Sequence, residues 1–224
     1  MIDTIAVQKK YLDLYNTPSD INTLLPYLKQ YAEKCGHITE MGVREPTSTY
    51  AFLAGNPEKL VSYDIHRTAG IADVEKLAPG TFNFILEDVL AADIEETDFL
   101  FLDTYHTATQ LAKELEKHAD KVRKYIGFHD TGSFWDVGEE AYPGIAPEIA
   151  CGRGLKHAIV PFLRKGGWYI SFMTDNNSGL LILERKIKGQ RSTTPLFARL
   201  KYTLYLRSKQ LRKTIFNIRQ KWAG

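Results

Sequence analysis

The stretch that decides the fold is Asp98-Phe-Leu-Phe-Leu-Asp-Thr-Tyr-His106. Its four consecutive apolar residues, 99–102, show no polar alternation, which is typical of a short strand buried on both faces inside a parallel sheet. Asp103 follows where this strand ends, and His106 comes three residues later. Because ligands of open α/β sheets bind at the carboxyl ends of the strands, this ending predicts a functional site.

A second apolar run, residues 125–128, ends in the same way, in His129-Asp130-Thr131. Two neighbouring strands would therefore bring Asp103, His106, His129 and Asp130 to one edge of the sheet. A single Asp at such a position is most often a turn former or a strand-end cap. Two successive endings that pair His with Asp favour a site instead.

Acidic residues also accompany the three strands predicted before residue 98, at 37–43, 59–65 and 81–86. Glu40 and Gly42 lie in the first, Asp64 ends the second, and Asp88 follows the third. Asp64 comes 22 residues after Gly42. Nucleotide-binding α/β units use this spacing to place a carboxylate on a ribose.

The remaining periodicity completes a Rossmann-like α/β fold. Apolar spacing predicts helices over residues 19–35, from about Pro46 to 53, over 107–123 and over 149–163. Residues 168–173 and 180–183 predict an antiparallel hairpin. The sum is a seven-stranded, mostly parallel sheet with a terminal antiparallel hairpin and helices on both faces. Residues 131–147 are rich in Gly and aromatic residues and are a candidate loop over a substrate.

Composition divides the chain into an acidic body and a basic tail. Residues 1–184 carry 17 basic and 27 acidic side chains, a net charge of −10. The segment after Glu184 has 12 basic residues and no acidic one. We therefore predict one domain over residues 1–188, which includes an N-terminal helix, and a helical tail over residues 189–224. The two cysteines lack C-x-x-C spacing, and no export signal or membrane span is evident, which predicts a cytoplasmic protein.

The order of strand-end acids resembles the class I S-adenosylmethionine-dependent methyltransferases over about residues 19–185. Three motifs are similar to the small-molecule branch of macrocin-type sugar O-methyltransferases and cephalosporin-hydroxylase-like proteins. They are Glu40-Met-Gly-Val-Arg-Glu-Pro-Thr-Ser-Thr49, Phe101-Leu-Asp-Thr-Tyr-His106 and Phe128-His-Asp-Thr131. Pro46 and His129 depart from that branch, which usually has Gly and an acidic residue at these positions.

The resemblance implies a role for each motif residue. Glu40 and Gly42 would lie beside the methionine part of S-adenosylmethionine, with Ser48 and Thr49 opening the next helix. Asp64 would take the ribose hydroxyls, and Asp88 would lie near the adenine amino group. Asp103 and Asp130, with His129 in place of an acid, would hold a divalent metal ion, and His106 would be the general base.

The expected function is metal-assisted methylation of a hydroxyl on a sugar, a glycan or another polyhydroxylated small molecule. Oxygen ligands suit Mg²⁺, whereas an imidazole ligand favours Mn²⁺, Fe²⁺ or Zn²⁺; Mg²⁺ or Mn²⁺ is the expected ion. The alternative is a catalytically inactive protein of the same fold that serves as a scaffold or ligand sensor. Pro46 and His129 motivate that alternative.

The tail from Thr194-Pro195 has apolar residues at steps of three, four or seven, with basic residues between them. The apolar positions are Phe197, Leu200, Leu204, Leu211, Ile215, Ile218 and Trp222. A basic amphipathic helix of this kind predicts binding to the inner surface of the membrane through residues 194–222, with Trp222 as an anchor. Docking on the acidic body or pairing in a homo-oligomer stays equally open. Nucleic-acid binding is weaker, because no nucleic-acid motif accompanies the charge.

Overall fold

One seven-stranded sheet runs through the computed structural model, which describes the backbone of residues 2–222 and the side chains of residues 2–210. The sheet has the order β3-β2-β1-β4-β5-β7-β6. Strands β1 to β5 are parallel, β7 is antiparallel to β5, and β6 is antiparallel to β7. The predicted fold is thus confirmed. The strands are β1 His37–Met41, β2 Lys59–Asp64, β3 Phe82–Leu86, β4 Thr97–Leu102, β5 Val122–His129, β6 Trp168–Thr174 and β7 Leu180–Arg185.

Helices cover both faces of the sheet. Side chains of α1 to α4 pack in one apolar cluster with Phe99 and Phe101. Side chains of α5 and α6 pack in a second cluster with Leu100 and Leu102. The unbroken apolar run of β4 therefore serves two cores, one on each face. The helices are α1 Thr4–Asn16, α2 Leu25–Ala32, α3 Thr47–Ala54, α4 Ala69–Leu77, α5 Ala108–His118, α6 Lys156–Arg164 and α7 Leu196–Trp222.

Several helix boundaries differ from the prediction. The sequence predicted neither α1 nor α4, and Ser19 caps a short 3₁₀ turn at Asn22–Leu24 rather than α2 itself. Helix α5 ends at His118, and β5 begins at Val122. The predicted start of α6 at residue 149 was wrong, because the chain over Gly152 and Gly154 forms a loop and the helix begins at Lys156. Glycine disfavours a helix by about 1 kcal/mol, and the apolar spacing across this segment concealed that.

The first half of α7 packs against the edge strand β6. The ring of Tyr202 lies 5.8 Å from that of Phe172, and Leu206 is buried in the second core cluster. Lys209 forms an ion pair with Asp175 and donates to the carbonyl of Thr131. This half of the basic helix is therefore anchored on the acidic body.

The opposite side of α7 is uncovered. Leu196, Phe197, Leu200 and Leu204 are all exposed, with Phe197 at 78%. The side chains of Leu211, Ile215, Ile218 and Trp222, which continue the predicted apolar pattern, lie outside the described residues. Within the part of the chain that the structure describes, no helix is both long and apolar enough to cross a membrane. The domain boundary at residue 188 stays a prediction.

Candidate functional site

A cavity of about 540 Å³ opens at the carboxyl ends of β1 to β5. One wall is formed by the covering loop, residues 131–155, which connects β5 to α6. All but two of the predicted site residues line this cavity: Gly42, Ser48, Asp64, Asp88, Asp103, His106, His129 and Asp130. The strand-end rule therefore brings motifs that are far apart in the sequence into one space.

Gly42 lies where the ends of β1 and β4 come closest. Its φ is +81°, and a Cβ built there would lie 2.1 Å from the carbonyl oxygen of Asp103. The backbone of Asp103 in turn donates to the carbonyl of Met41 at 2.8 Å. Since no other residue combines this backbone angle with no side chain, the contact that aligns the two strand ends requires glycine.

The two predicted residues that do not line the cavity are Glu40 and Thr49, and both are fully buried. The Glu40 carboxylate accepts hydrogen bonds from the hydroxyls of Ser48 at 2.5 Å, Thr49 at 2.7 Å and Ser62 at 2.6 Å. It thus ties β1 to the first turn of α3 and to β2. Burial raises the pKa of Glu40 to about 7, although the three hydroxyls act in the opposite direction.

Asp64 holds the loop after β1 in place. One carboxylate oxygen accepts from the backbone nitrogens of Val43 at 2.7 Å and Arg44 at 2.9 Å. The other accepts from the nitrogen of His66 at 2.9 Å. Asp88, one strand further out, is exposed, and the only described hydrogen bond of its carboxylate is a local one that it accepts from the backbone nitrogen of Leu90. The carboxylates of the second and third strands therefore stand along the same cavity wall.

At the other end of the cavity, two carboxylates and two imidazoles meet. His129 Nδ1 lies 3.0 Å from an oxygen of Asp103 and 3.4 Å from one of Asp130. His106 Nε2 lies 3.3 Å and 3.1 Å from the same two oxygens. Asp103, His129 and Asp130 each offer an atom within 4.8 Å of the others, which is a geometry that could hold a metal ion. Asp130 adopts a φ of +57°, a left-handed backbone that turns up often at functional sites.

Residues that the sequence did not single out orient these imidazoles. Glu139 of the covering loop accepts from His106 Nδ1 at 2.8 Å and from its backbone nitrogen at 3.1 Å. The ring of Phe134 stacks on His106 with centroids 4.9 Å apart. His129 Nε2 lies 3.3 Å from the carbonyl of Asp20. No motif marks Glu139 in the sequence, and only its place in the predicted covering loop pointed to this region.

Positively charged imidazoles and negatively charged carboxylates meet in this cluster. Burial disfavours charge on both imidazoles, but the neighbouring carboxylates outweigh it and raise the pKa of His106 to about 10 and of His129 to about 9. Burial also opposes the charge on Asp103, yet the two histidines hold its pKa well below the usual range. The imidazolium cations of His106 and His129 thus face the carboxylates of Asp103, Asp130 and Glu139 at neutral pH, and a divalent cation carries the same charge as the two imidazolium ions together.

No family model and no curated protein matches this chain. Several solved structures are similar to it. The methyltransferase PaMTH1 of Podospora anserina, bound to S-adenosylhomocysteine, is 14% identical with a TM-score of 0.56, over 81% of this chain and 88% of its own. A candidate O-methyltransferase of Klebsiella pneumoniae is 14% identical with a TM-score of 0.55, over 83% and 90%.

A third similar structure is the N-methyltransferase NodS of Bradyrhizobium japonicum WM9 in complex with S-adenosylhomocysteine. It is 10% identical with a TM-score of 0.53, over 84% of this chain and all (100%) of its own. Together these likenesses show that the chain has the Rossmann-like fold of S-adenosylmethionine-dependent methyltransferases. Because both O- and N-methyltransferases share it, the fold leaves the acceptor atom undetermined.

Proposed function

We propose that this protein is an S-adenosylmethionine-dependent O-methyltransferase, assisted by a divalent cation, that acts on a hydroxyl of a sugar, a glycan or another polyhydroxylated small molecule. The observation that carries the proposal is one cavity with two chemically distinct ends. Gly42, Asp64 and Asp88 line the first end, and the Asp103, His129 and Asp130 group lies at the second.

The cavity as a whole fits the cofactor in size and charge. A cavity of about 540 Å³ falls in the range of small-molecule sites. When bound, S-adenosylmethionine supplies a methyl group on a positively charged sulfonium. The cavity wall is predominantly acidic, which favours a cationic guest. Its acidic residues are Asp20, Glu45, Asp64, Asp88, Asp103, Asp130, Glu139 and Glu148, against the basic Arg44 and Lys113 and the histidines His66, His106 and His129.

The second end fits a divalent cation, because two carboxylate oxygens and an imidazole nitrogen are ligands that Mn²⁺ and related ions accept. When bound, such a cation lowers the pKa of an acceptor hydroxyl. His106 lies against both carboxylates, where, once a bound cation has displaced one of its ring protons, it can take the acceptor proton or bind the ion itself. Tyr142 and Ile145 of the covering loop also line the cavity.

The test is transfer of a labelled methyl group from S-adenosylmethionine to a panel of sugars and polyhydroxylated small molecules, with and without added Mn²⁺ or Mg²⁺. We expect transfer that requires the cation and that Asp103→Asn abolishes without unfolding the protein. Full activity in excess chelator would show that the carboxylates do something else. Cofactor binding with no transfer to any acceptor would favour the non-catalytic alternative.

A further inference from the structure

The histidines at the second end of the cavity share an arrangement that the predicted roles do not explain. Each directs one ring nitrogen at the same two carboxylate oxygens, of Asp103 and Asp130, at 3.0–3.4 Å. The sequence assigned only His129 to the metal and gave His106 another task. In the structure both imidazoles contact the same pair of carboxylates.

The other nitrogen of each imidazole is held by an oxygen acceptor from a different part of the chain. His106 Nδ1 faces Glu139 at 2.8 Å, and His129 Nε2 faces the carbonyl of Asp20 at 3.3 Å. When a metal ion displaces the inner proton of the imidazolium, such an acceptor keeps the remaining proton on the outer nitrogen, so the inner nitrogen offers its lone pair to the ion. This is the outer support that metal-bound histidines almost always have.

The nitrogen-to-oxygen separations also suit one ion; Asp103, His129 and Asp130 offer atoms within 4.8 Å of one another, and His106 joins them through its contacts with the two carboxylates. Ligand atoms about 2.0–2.2 Å from a metal ion lie roughly 3 to 3.5 Å from one another. All four nitrogen-to-oxygen separations fall within that range. The described ion pairs of Asp103 and Asp130 are all with these histidines, so no lysine or arginine among those residues occupies the space as a salt-bridge partner.

We propose that His106 is a fourth metal ligand, so that Asp103, His106, His129 and Asp130 form a two-histidine, two-aspartate centre, with Glu139 as the positioning residue for His106. The inference rests on the proposed function and replaces the proton-accepting role of His106. Two imidazoles select a transition-metal cation such as Mn²⁺ or Zn²⁺ over Mg²⁺, which prefers an all-oxygen shell. Because Glu139 belongs to the covering loop, a loop that lines the cavity also completes the outer support of the metal centre.

The test uses the full-length protein, stripped of metal with a chelator and then titrated with Mn²⁺, Zn²⁺ or Mg²⁺ by calorimetry. Pulsed electron paramagnetic resonance on the Mn²⁺ form counts the coupled imidazole nitrogens. We expect two imidazoles in the wild type, one in His106→Gln and one in His129→Gln. Glu139→Gln, which leaves the ring in place, should weaken Mn²⁺ binding about 10- to 100-fold.

Matched controls lie in the cavity and in the covering loop. His66→Gln removes a histidine that lines the cavity and has no described hydrogen bond or ion pair with the four cluster residues. Glu140→Gln removes an exposed carboxylate of the covering loop that does not line the cavity, and both variants should bind Mn²⁺ as the wild type does. A single coupled imidazole in the wild type, or unchanged Mn²⁺ binding in His106→Gln and Glu139→Gln, would overturn the inference. Tighter binding of Mg²⁺ than of Mn²⁺ would also overturn it.

Calorimetry with S-adenosylhomocysteine on the same samples separates this inference from the proposed function. If the cofactor product binds and only one imidazole couples to Mn²⁺, the assignment of His106 is wrong and the methyltransferase proposal stands. If two imidazoles couple and the cofactor product does not bind, the metal centre stands and the methyltransferase proposal is wrong.

Discussion

At the scale of the residue, single positions decide whether the cavity can form. Gly42 lets the ends of β1 and β4 come close together. A side chain at this position would meet a backbone atom, which cannot move aside as the end of a flexible side chain can. Glu40 holds three hydroxyls from two elements around one buried carboxylate. Both residues thus shape the cavity indirectly, because they position the strand ends and the helix that surround it.

We expect Gly42→Ala to lower the free energy of unfolding by about 3 kcal/mol, from a left-handed backbone angle and a clash with the carbonyl of Asp103. Gly80→Ala is the control, because Gly80 has a φ of +79° and a Cβ there would meet nothing within 4 Å. It should cost only about 1 kcal/mol. Urea denaturation of both variants measures the difference, and equal losses would contradict the close-approach argument.

The buried carboxylate of Glu40 predicts a pH dependence of stability. Its pKa is about 7 in the folded protein against an ordinary 4.5, so between these values the folded state holds a proton that the unfolded state has lost. Stability from this group is therefore present below pH 4.5 and falls by about 3 kcal/mol as the pH rises through 7. Denaturation of the wild type and of Glu40→Gln at pH 5 and pH 8 isolates the effect. If both proteins lose the same free energy of unfolding between these pH values, the prediction is wrong.

The residues of the site were readable from the sequence wherever a strand end placed them. Asp103, His106, His129 and Asp130 follow buried apolar runs, and parallel strands bring such endings together. Glu139 and the carbonyl of Asp20 could not be found in this way. Both come from irregular segments, whose path depends on packing that no local periodicity encodes.

At the scale of the element, the strands were predicted better than the helices. Short apolar runs such as that of β4 are apolar on both faces, and a central strand is the element that buries both faces. They therefore predict a central strand directly. Helix α1 buries only Val7 and Tyr11, so its amphipathic pattern is faint. Its position over the sheet is set by contacts with α3 that are distant in sequence.

The exposed apolar side of α7 predicts membrane binding, because basic side chains such as Lys201 and Arg207 flank it. We expect the full chain to bind vesicles that contain anionic lipid, and binding to fade with salt. Changing Phe197, Leu200 and Leu204 to Ser should weaken binding at least about tenfold, since it removes apolar area without touching the side of α7 that packs on β6.

The control for this prediction changes Ile5 and Leu12 to Ser, two exposed apolar residues on α1. Vesicle flotation of the three proteins gives the comparison. If the wild type does not bind anionic vesicles, and the α7 variant is monomeric where the wild type is an oligomer, the exposed face joins two copies of the chain.

At the scale of the whole molecule, charge is distributed in a way that suits the proposed chemistry. The acidic body holds a cavity with an acidic wall, whereas the basic residues are concentrated after Glu184. A cationic cofactor and a metal cation would enter the cavity, and an anionic surface would attract the tail. The fold accounts for where the cavity lies, and the side chains at its two ends account for what it can bind.

The measurement that tests the central claim most directly is calorimetric titration of the full chain with S-adenosylhomocysteine and S-adenosylmethionine. The account predicts one molecule bound per chain, with binding weakened about tenfold in Asp88→Asn, which removes a charged partner but keeps the local bond to Leu90. Circular dichroism confirms that the variant is folded. Absence of binding to either compound by the folded wild type would contradict the account.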